Sequence, residues 1–362
     1  MKIKTTDLAH LVEVAYKAAS NNKIVPITQM IGIKVNDGKL TLAATDSFNY
    51  LYISAKVEDD THMDVCVNAD ILFKLISKFT SEFTELVLKD NYLLVTGNGD
   101  YKLDLLLDEE GVVFKFPIKK VADNHNTQEI ELSKFSNLKF YGEKSLAQTM
   151  EEPDLVAYFT NDEIGVSTDR NIMTLIKNPI TDKALTLRSK FVELLVLMKE
   201  KINFHTWVNE ATKEINIYAE DGVIEIFSKV NNSVDDYPYE AIKQLIETSE
   251  FETNGKITIK TLSAALDRIG LMVTPYDSNV IDVRLNEGKL FVSSVKSTGV
   301  EVIPIKDIDT TKSWAGKMDI EMLKSQLSSF TKDEVDIYLG NDNCIKLVEG
   351  NVTKLICLVN EE

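Results

Sequence analysis

The chain has 362 residues, of which 57 are Asp or Glu and 40 are Lys or Arg, and its formal net charge is −17. A chain this acidic repels phosphate on average, which excludes a uniformly basic nucleic-acid coat protein. With 44% hydrophobic and 27% charged residues, 15 Gly and 7 Pro, the composition excludes a disordered chain and indicates a packed protein with more than one core.

The N-terminal segment and the cysteines indicate the compartment. Residues 1–7 lead directly into a charged alternating segment, and no apolar run approaches the roughly 18 residues that a bilayer-spanning helix needs. Cys66, Cys344 and Cys357 lie in apolar, strand-like surroundings without C-x-x-C spacing. This pattern favours a reducing intracellular compartment over a disulfide scaffold, and no zinc site is predicted. We therefore expect a soluble, cytoplasmic protein.

An internal repeat dominates the order of the predicted elements. A short alternating strand runs into a helix three times, and Ile3, Ile130 and Ile257, which mark it, are 127 residues apart each time. In each repeat, two alternating strands joined by a polar turn follow. Asn, Asp and Gly accept the left-handed backbone that a two-residue hairpin turn requires. The turns are 125 residues apart, at Asn36-Asp37-Gly38, Asn161-Asp162-Glu163 and Asn286-Glu287-Gly288.

Each repeat continues with a second helix and further strands of period two. The clearest of these strands alternates Tyr101, Leu103 and Leu105 with charged residues, as one buried and one wet face require. We predict an α+β fold of three repeated domains, each with two helices packed on antiparallel sheets. The domains are 1–122, 123–250 and 251–362. The six predicted helices are 6–23, 71–80, 133–148, 188–201, 260–273 and 321–332.

Known catalytic motifs are missing from the sequence. The phosphate-binding loop, the G-x-S-x-G elbow, the H-E-x-x-H zinc motif and the EF-hand loop do not occur. Paired acids such as Asp235-Asp236 stand in turn-like contexts, where a solvated acidic loop is the simpler interpretation. We predict no enzymatic activity, no catalytic residue, no metal and no cofactor. The four histidines are scattered over different predicted elements, as surface residues usually are, at His10, His62, His125 and His205.

Positive charge is concentrated in the predicted helices. Over the six helices, Lys and Arg exceed Asp and Glu by 8, so the rest of the chain carries −25. One interpretation is that lysine is simply a good helix former on exposed faces. The other is that the repeat brings equivalent helices to one side, where they form a basic surface that binds phosphate backbone without reading sequence.

Several short motifs follow one another in a specific order along nearly the whole chain. They are Met1-Lys2-Ile3, Val25-Pro26-Ile27, 38–46, Phe116-Pro117, 167–173 and Asp236-Tyr237-Pro238-Tyr239. Together, and on a three-fold repeat, they resemble the bacterial replicative sliding clamp, the β subunit of DNA polymerase III. The resemblance implies a ring of two chains joined head to tail, with helices lining the hole. DNA would pass through the ring, which tethers a polymerase and performs no chemistry.

The resemblance also implies where DNA is contacted. The family's basic residue before Pro-Ile is matched by Lys23, and the basic start of the second helix of domain two is matched by Arg188. The sequence departs from the family at Asp70 and Ile71, where clamps often have basic residues, which puts part of this contact in doubt. Helix position alone adds five lysines to the set, Lys74, Lys78, Lys139, Lys190 and Lys324.

The partner pocket of the family lies between domains two and three and receives short apolar peptides from polymerases and clamp loaders. Plain core packing is the alternative interpretation for three of the matching residues, Met173, Ile242 and Leu358. The C-terminal Asn360-Glu361-Glu362 is acidic where the family often has a basic or apolar end, so we expect a different peptide specificity. The matching positions are Thr168, Arg170, Met173, Pro238, Ile242 and Leu358.

The resemblance places the homodimer interface at Leu103 and Leu105 of a domain-one strand, against Leu271 and Met272 at the end of a domain-three helix. An apolar strand at a sheet edge needs a cover, which a neighbouring subunit supplies. The leading hypothesis is therefore a processivity clamp. Its partners are double-stranded DNA, a polymerase, a clamp loader and a second copy of the chain, and no membrane. The alternative is a non-enzymatic structural or protein-binding assembly module with the same fold and no DNA partner, and an enzyme comes third.

Overall fold

The computed structural model describes six stretches of the chain, 1–58, 61–149, 154–230, 234–273, 279–296 and 299–359. The acidic C-terminus, for which a departure from the family is predicted, lies outside the described residues. The chain divides into two compact units. Unit 1 comprises Met1–Ser133 and Lys190–Asn231, and unit 2 comprises Lys134–Ser189 and Asn232–Glu362.

Seven α-helices lie in the described part of the chain. All six predicted helices form, and each begins within two residues of its predicted start. The helix at 239–248 was missed, although Ile242 and Ile246 stand at the spacing of one helical face. None of the seven is long and apolar enough to span a membrane. They are α1 (Thr5–Tyr16), α2 (Ala69–Ile76), α3 (Leu132–Gly142), α4 (Ser189–Leu195), α5 (Tyr239–Thr248), α6 (Ile259–Gly270) and α7 (Ile320–Leu327).

The six predicted helices end between three and seven residues earlier than expected. Beyond α1 and α7 the chain continues in tight turns, in which the amide of Ala18 donates to the carbonyl of Ala15 at 3.0 Å. In the same way, the amide of Ser329 donates to the carbonyl of Gln326 at 3.3 Å. These bonds reach back three residues instead of four, yet Ala18 and Ser329 stay buried. The spacing of buried residues therefore continues for several residues beyond the end of the regular helix.

The described chain contains 24 β-strands. The first half of them are β1 (Lys2–Lys4), β2 (Met30–Asn36), β3 (Lys39–Thr45), β4 (Asn49–Lys56), β5 (Met63–Asn68), β6 (Phe83–Leu88), β7 (Tyr92–Thr96), β8 (Asp100–Asp104), β9 (Asn126–Glu131), β10 (Ala157–Thr160), β11 (Gly165–Thr168) and β12 (Ile172–Ile176). The others are β13 (Leu185–Arg188), β14 (Lys201–Val208), β15 (Ile215–Glu220), β16 (Ile224–Val230), β17 (Thr253–Thr258), β18 (Val280–Asn286), β19 (Lys289–Ser294), β20 (Val300–Pro304), β21 (Trp314–Asp319), β22 (Glu334–Leu339), β23 (Cys344–Glu349) and β24 (Val352–Cys357).

Antiparallel pairing builds one eight-stranded and one four-stranded sheet in each unit. In unit 1 the orders are β5-β2-β3-β4-β16-β15-β14-β9 and β1-β6-β7-β8. In unit 2 they are β13-β10-β11-β12-β24-β23-β22-β17 and β20-β19-β18-β21. Helix α1 packs on α2 in unit 1, where the rings of Tyr16 and Phe73 stack with centroids 4.4 Å apart, and α6 packs on α7 in unit 2. The predicted α+β class, with helices on antiparallel sheets, is confirmed.

Each eight-stranded sheet combines strands from two repeats. In unit 1, β4 pairs with β16 and places Ile53 opposite Ile224. In unit 2, β12 pairs with β24 and places Ile172 opposite Ile356. The strands of the predicted middle domain are consequently divided, because β9 and β14 to β16 complete the sheet of unit 1 while β10 to β13 belong to unit 2. The compact units therefore do not follow the repeat, and the three-domain boundaries stay a prediction.

Two of the predicted hairpin turns have the left-handed backbone that their residues favour. The φ angle is 49° at Asp37 and 70° at Gly38, between β2 and β3. It is 48° at Glu287 and 73° at Gly288, between β18 and β19. Two consecutive positive φ angles define the two-residue turn whose twist matches that of the flanking strands. The two-residue turn predicted in the first and third repeats is confirmed.

The turn of the second repeat is longer than predicted. Thr160 on β10 pairs with Gly165 on β11, which leaves four residues in the loop between them. The Oδ1 atom of Asn161 accepts hydrogen bonds from the amides of Glu163 and Ile164, at 2.9 and 2.8 Å. This side chain replaces the left-handed backbone as the device that reverses the chain. The hairpin is therefore confirmed at this position, whereas the two-residue turn was wrong.

A fully buried lysine lies in the interior of unit 2. The Nζ atom of Lys354, on β24, donates to the carbonyl oxygen of Tyr141 at 2.8 Å and to Oε1 of Gln326 at 2.9 Å. It also donates to the hydroxyl oxygen of Ser329 at 2.5 Å. Burial lowers the pKa of Lys354 to about 7, and the nearby Glu349 carboxylate opposes that shift. This amine thus links α3 and α7 to β24 and titrates near neutral pH.

The titration of Lys354 makes the free energy of unfolding depend on pH. The unfolded chain binds the proton with the ordinary lysine pKa of 10.5, whereas the folded chain binds it only below about 7. Between these values the unfolded state carries more protons, so stability contributed by this group rises as the pH increases. Urea unfolding across this window should show the wild type gaining stability relative to Lys354→Met, whose side chain does not titrate. A difference that stays flat or falls with pH contradicts the prediction.

Candidate functional site

A cavity of about 510 Å³ lies within unit 2. Its walls come from β11, β12, α5, β24 and the segments next to them. The sequence predicted only part of this lining, because the apolar spacing of α5 was overlooked and the pairing of β24 is not readable locally. Residues that were missed include Leu155, Leu245, Cys344, Leu355 and Cys357. The predicted pocket residues that line the cavity are Thr168, Arg170, Met173, Pro238 and Ile242.

The predicted pocket residue Leu358 lies elsewhere. It packs, partly buried, against a separate apolar cluster of unit 2, next to Gly316. Along β24, Leu355 and Cys357 line the cavity, whereas Ile356 belongs to that other cluster. Alternate residues of a strand face opposite sides of the sheet, so Leu358 shares the face of Ile356. The structure assigns Leu355 and Cys357 to the cavity wall in place of Leu358.

A tight loop after β11 fixes Arg170 at the rim of the cavity. The hydroxyl of Thr168 donates to the carbonyl of Ile172 at 2.7 Å and accepts from the amide of Arg170 at 3.0 Å. The Oδ1 atom of Asp169 accepts from the amides of Asn171 and Ile172 at 2.9 and 2.7 Å. These bonds hold Arg170 at a φ of 77°, a left-handed conformation that is uncommon for a residue with a side chain.

Aromatic stacking fixes the segment around Pro238, which also lines the cavity. The rings of Tyr237 and Tyr239 both stack on Phe159, with centroids 5.3 and 4.5 Å away. Tyr237 is buried, and burial raises the pKa of its phenol, which therefore stays protonated. Pro238, between the two tyrosines, is held at the cavity edge, and its carbonyl accepts the amide of Ile242 at 3.0 Å inside α5. The stacked rings thus position the start of α5 over the cavity.

The floor of the cavity is apolar. Met173 on β12 lies opposite Leu355 on β24, and both are buried. Ile242 and Leu155 belong to the same buried cluster, while Leu245 is 44% exposed at the edge. Among the described residues, no group of three or more His, Cys, Asp or Glu is arranged to hold a metal ion. The site is suited to burying apolar side chains of a ligand.

The predicted DNA contacts in unit 1 differ in their charge environment. The Nζ atom of Lys74 lies 2.7 Å from Oδ2 of Asp70, and the other carboxylate oxygen, Oδ1, accepts a hydrogen bond from the hydroxyl of Tyr16 at 3.2 Å. The hydrogen bond from Lys74 lowers the pKa of Asp70, so this pair stays ionised. Lys190 is paired with Glu193 at 3.1 Å. Asp70, noted as a departure from the family, therefore offsets one of the predicted cations. The other unit 1 lysines of the set, both exposed, are Lys23 and Lys78.

The predicted DNA contacts in unit 2 are Lys139, Arg188 and Lys324. The Nζ atom of Lys324 lies 2.9 Å from Asp267 and 3.6 Å from Glu321, and the hydrogen bond to Asp267 raises the pKa of Lys324. Arg188 ends β13 and is half-buried, as is Lys139 on α3. Within the described stretches, no carboxylate lies within 4.0 Å of three members of the whole set, Lys23, Lys78 and Lys139.

The predicted interface residues fall into two kinds. Leu103 and Leu105 are each only 7% exposed within unit 1. Leu271 and Met272, which follow α6 in unit 2, are 82% and 48% exposed. Leu103 lies on β8, an outer strand of its four-stranded sheet, as β20 is in unit 2. In the described part of the chain, each unit therefore has an unpaired strand edge, and the two exposed residues of the predicted interface, Leu271 and Met272, lie on unit 2.

Comparison with known proteins identifies the fold. Residues 1–111 match the family model described as DNA polymerase III beta subunit, N-terminal domain. No curated protein sequence matches the chain. The β subunit of DNA polymerase III from Thermotoga maritima superposes with a TM-score of 0.84 at 15% identity, over 100% of this chain and 99% of its own. The DNA polymerase sliding clamp from Bacillus subtilis has a TM-score of 0.83 and 16% identity, over 100% and 99%.

A third solved structure agrees with these two. It is the β subunit of DNA polymerase III from Borrelia burgdorferi, in complex with a natural product, with a TM-score of 0.82 and 19% identity over 100% of this chain and 98% of its own. Likenesses at such low identity establish the fold, and the family model adds a match in sequence. The resemblance seen in the ordered motifs is confirmed. Residues 1–111 therefore match the N-terminal domain of the DNA polymerase III beta subunit, and the chain has the fold of the bacterial sliding clamps over its whole length.

Proposed function

We propose that the chain is a DNA sliding clamp, a processivity subunit that encircles duplex DNA as a head-to-tail homodimer and tethers the replicative polymerase. The observation that carries the proposal is the coincidence of the family match at residues 1–111 with a fold likeness over 100% of the chain. Such a protein acts by binding and topology in the cytoplasm, without a catalytic site of its own. An apolar pocket and surface lysines are the chemistry that this role needs.

The three domains of 1–122, 123–250 and 251–362 are part of the proposal. Equivalent positions of the repeat have equivalent environments, since Ile3, Ile130 and Ile257 are all buried in a strand next to a helix. Strands shared between neighbouring repeats explain why compact units and repeats have different boundaries. A repeated domain with one basic helix face would present that face several times around a closed ring.

DNA would be held through weak contacts between lysines and phosphates. Lys23, Lys78 and Lys139 are the members of the predicted set best suited to this, because no described carboxylate neutralises them. Ammonium groups contact phosphate without reading sequence, and the contacts weaken with salt. The overall charge of −17 would repel DNA from the rest of the surface. This combination supports sliding rather than fixed binding.

The cavity of unit 2 would receive short apolar peptides from DNA polymerases and clamp loaders. Its floor of Met173, Ile242 and Leu355 can bury one or two apolar side chains, which are the usual anchors of a peptide in a groove. Exposed Leu245 would be covered by the bound peptide.

The homodimer would form by pairing the free strand edges of two chains. We place β8 of one protomer beside β20 of its partner, since both are outer strands of four-stranded sheets. Val300 and Val302 on β20 are 58% and 49% exposed, and Leu271 is 82% exposed, so a partner would cover them. The buried Leu103 and Leu105 would then support the strand from behind.

One observation favours the second candidate, a non-enzymatic assembly module without a DNA partner. Three of the seven predicted DNA contacts, Lys74, Lys190 and Lys324, are paired with carboxylates. Paired cations release fewer counterions when they meet phosphate and contribute less to binding. The experiments below separate the two functions.

Topological linkage is the sharpest test of the clamp function. The protein is loaded onto nicked circular DNA with a clamp loader, and the DNA is then linearised. A closed ring should remain on the circle and leave the linear DNA, whereas blocking both DNA ends should retain it. Release that ignores linearisation contradicts the proposal. Light scattering should also give a mass of about 81 kDa, twice the chain mass of 40.7 kDa, and a monomer at micromolar concentration would favour the assembly module.

Charge variants should alter DNA binding in opposite directions. Lys78→Ala removes an exposed lysine that no described carboxylate neutralises, and it should reduce the slope of log affinity against log salt by about 1. Asp70→Asn removes the carboxylate 2.7 Å from Lys74 and should strengthen binding. Lys213→Ala, an exposed lysine outside the proposed surface, serves as the control and should change nothing. Fluorescence anisotropy with duplex DNA measures the affinity of each variant at several salt concentrations. If the variants and the wild type have the same salt slope, the DNA contacts lie elsewhere.

Truncating the pocket should weaken binding of a polymerase-derived peptide. Ile242→Ala removes a buried anchor contact and should cost more than about 1 kcal/mol of binding free energy, or over fivefold in affinity. Leu245→Ala should act in the same direction with little loss of stability, because this side chain is 44% exposed. Val208→Ala on β14 of unit 1 is the matched control. Unchanged affinity of both pocket variants by calorimetry would move the peptide site away from this cavity.

A further inference from the structure

Two cysteines face each other in the wall of the cavity. Cys344 on β23 lies directly opposite Cys357 on β24 in the antiparallel register, and both line the cavity as free thiols. Directly opposed residues of an antiparallel pair share one face of the sheet. Leu355, two positions before Cys357, packs in the same cluster as Cys344, which places both side chains on the cavity face.

The backbone bonds put this pair at a non-hydrogen-bonded position. The amide of Cys357 donates away from β23, to the carbonyl of Asn171 at 2.8 Å, whereas the next residue, Leu358, donates to Asn343 at 2.8 Å. Opposed Cα atoms at such positions are about 4.5 Å apart, which lies within the range of about 4.4 to 6.8 Å that a disulfide spans. A bond between the two sulfurs therefore needs side-chain rotation and little movement of the strands.

Each of the two free thiols has its own hydrogen-bond acceptor. The Sγ atom of Cys344 lies 3.7 Å from Oδ1 of Asn341, and that of Cys357 lies 3.7 Å from the carbonyl oxygen of Arg170. We propose that Cys344 and Cys357 form a reversible disulfide that narrows this cavity and weakens peptide binding. The bond would bring both sulfurs between the strands on the cavity side and break the contact with Arg170. The effect on peptides rests on the proposed function, whereas the disulfide itself does not.

The reaction is thiol–disulfide exchange with a low-molecular-weight disulfide such as oxidised glutathione. The thiolate of Cys357, the more exposed of the two, attacks one sulfur of the oxidant, whose S–S bond breaks and releases one thiol. The thiolate of Cys344 then attacks the Cys357 sulfur of the mixed disulfide and releases the second thiol. Two protein thiols are oxidised and one small disulfide is reduced, and a dithiol reverses the exchange.

The rate of this exchange depends on how far burial raises the pKa of the thiols. Burial raises the pKa of Cys344 to about 11 and also raises the pKa of Cys357, so little thiolate is present at neutral pH. The rate should therefore rise about tenfold per pH unit while the thiol of Cys357 stays mostly protonated, because only the thiolate attacks. The second step is intramolecular, which favours the disulfide over a persistent mixed disulfide.

Thiol counting on the full chain tests the disulfide. The protein is incubated with oxidised glutathione, denatured, alkylated and weighed by mass spectrometry. We expect one alkylated thiol, Cys66, and a disulfide peptide joining Cys344 to Cys357. Cys66→Ala should retain that disulfide, while Cys344→Ser and Cys357→Ser should each lose it. Two alkylated thiols beside a mixed disulfide, three alkylated thiols, or a disulfide between chains on a non-reducing gel would overturn the proposal.

Peptide binding tests whether the disulfide weakens the affinity of the cavity for a peptide. A fluorescein-labelled ten-residue peptide from the end of a bacterial replicative polymerase is titrated against reduced and oxidised protein. We expect at least fivefold weaker binding after oxidation, recovery with dithiothreitol, and no redox effect in Cys357→Ser. Equal affinity of the two forms rejects the coupling. Absence of peptide binding by the reduced protein contradicts the proposed function instead, and the thiol count still decides whether the disulfide forms.

Discussion

The pairing of β12 with β24 is the interaction on which the cavity of unit 2 depends. It places Met173 opposite Leu355, two residues that are far apart in the chain, and so creates one continuous apolar floor. The outer strand of one repeat forms its backbone hydrogen bonds with a strand of another repeat. In unit 1, β4 pairs with β16 in the same way. Backbone hydrogen bonding thus decides which side chains become neighbours. The stacked rings at Phe159 then set the distance of α5 from this floor.

The number of charged residues in a segment does not by itself give the charge that a ligand meets there. The helical segments carry an excess of positive charge within a chain of −17, which indicates segregation. The structure pairs Lys74 with Asp70 and Lys324 with Asp267, so that part of this excess is neutralised where it stands. Exposed pairs of this kind contribute little to stability, but they reduce the charge that a phosphate would meet. Lys23 and Lys78, which no described carboxylate neutralises, therefore matter more to the proposed DNA surface than the total charge does.

Two groups in unit 2 owe their chemistry to neighbours that the local sequence does not indicate. Lys354 reads locally as an ordinary strand lysine, yet three acceptors from α3, α7 and the turn after it surround its amine. Cys344 and Cys357 stand 13 positions apart in the sequence, and only the register of β23 on β24 brings them together. In both cases the chemistry arises because the fold brings together residues that are distant in the sequence. Periodicity along one strand indicates which face is buried, but it does not indicate the neighbours on that face.

Five of the residues that line the cavity were predicted, and these came from the resemblance to the family. The sequence by itself determined the α+β class, the starts of six helices and the positions of the hairpins. These features are written in short-range patterns of apolar spacing and turn chemistry, which act within one or two turns of chain. The ends of the helices, the length of the Asn161 loop and the exchange of Leu358 for Leu355 and Cys357 were decided by tertiary structure. Tight terminal turns keep the helical apolar pattern after the helix has ended. A strand's cavity-facing residues depend on its register against a distant partner, and a shift of one residue reverses every side chain.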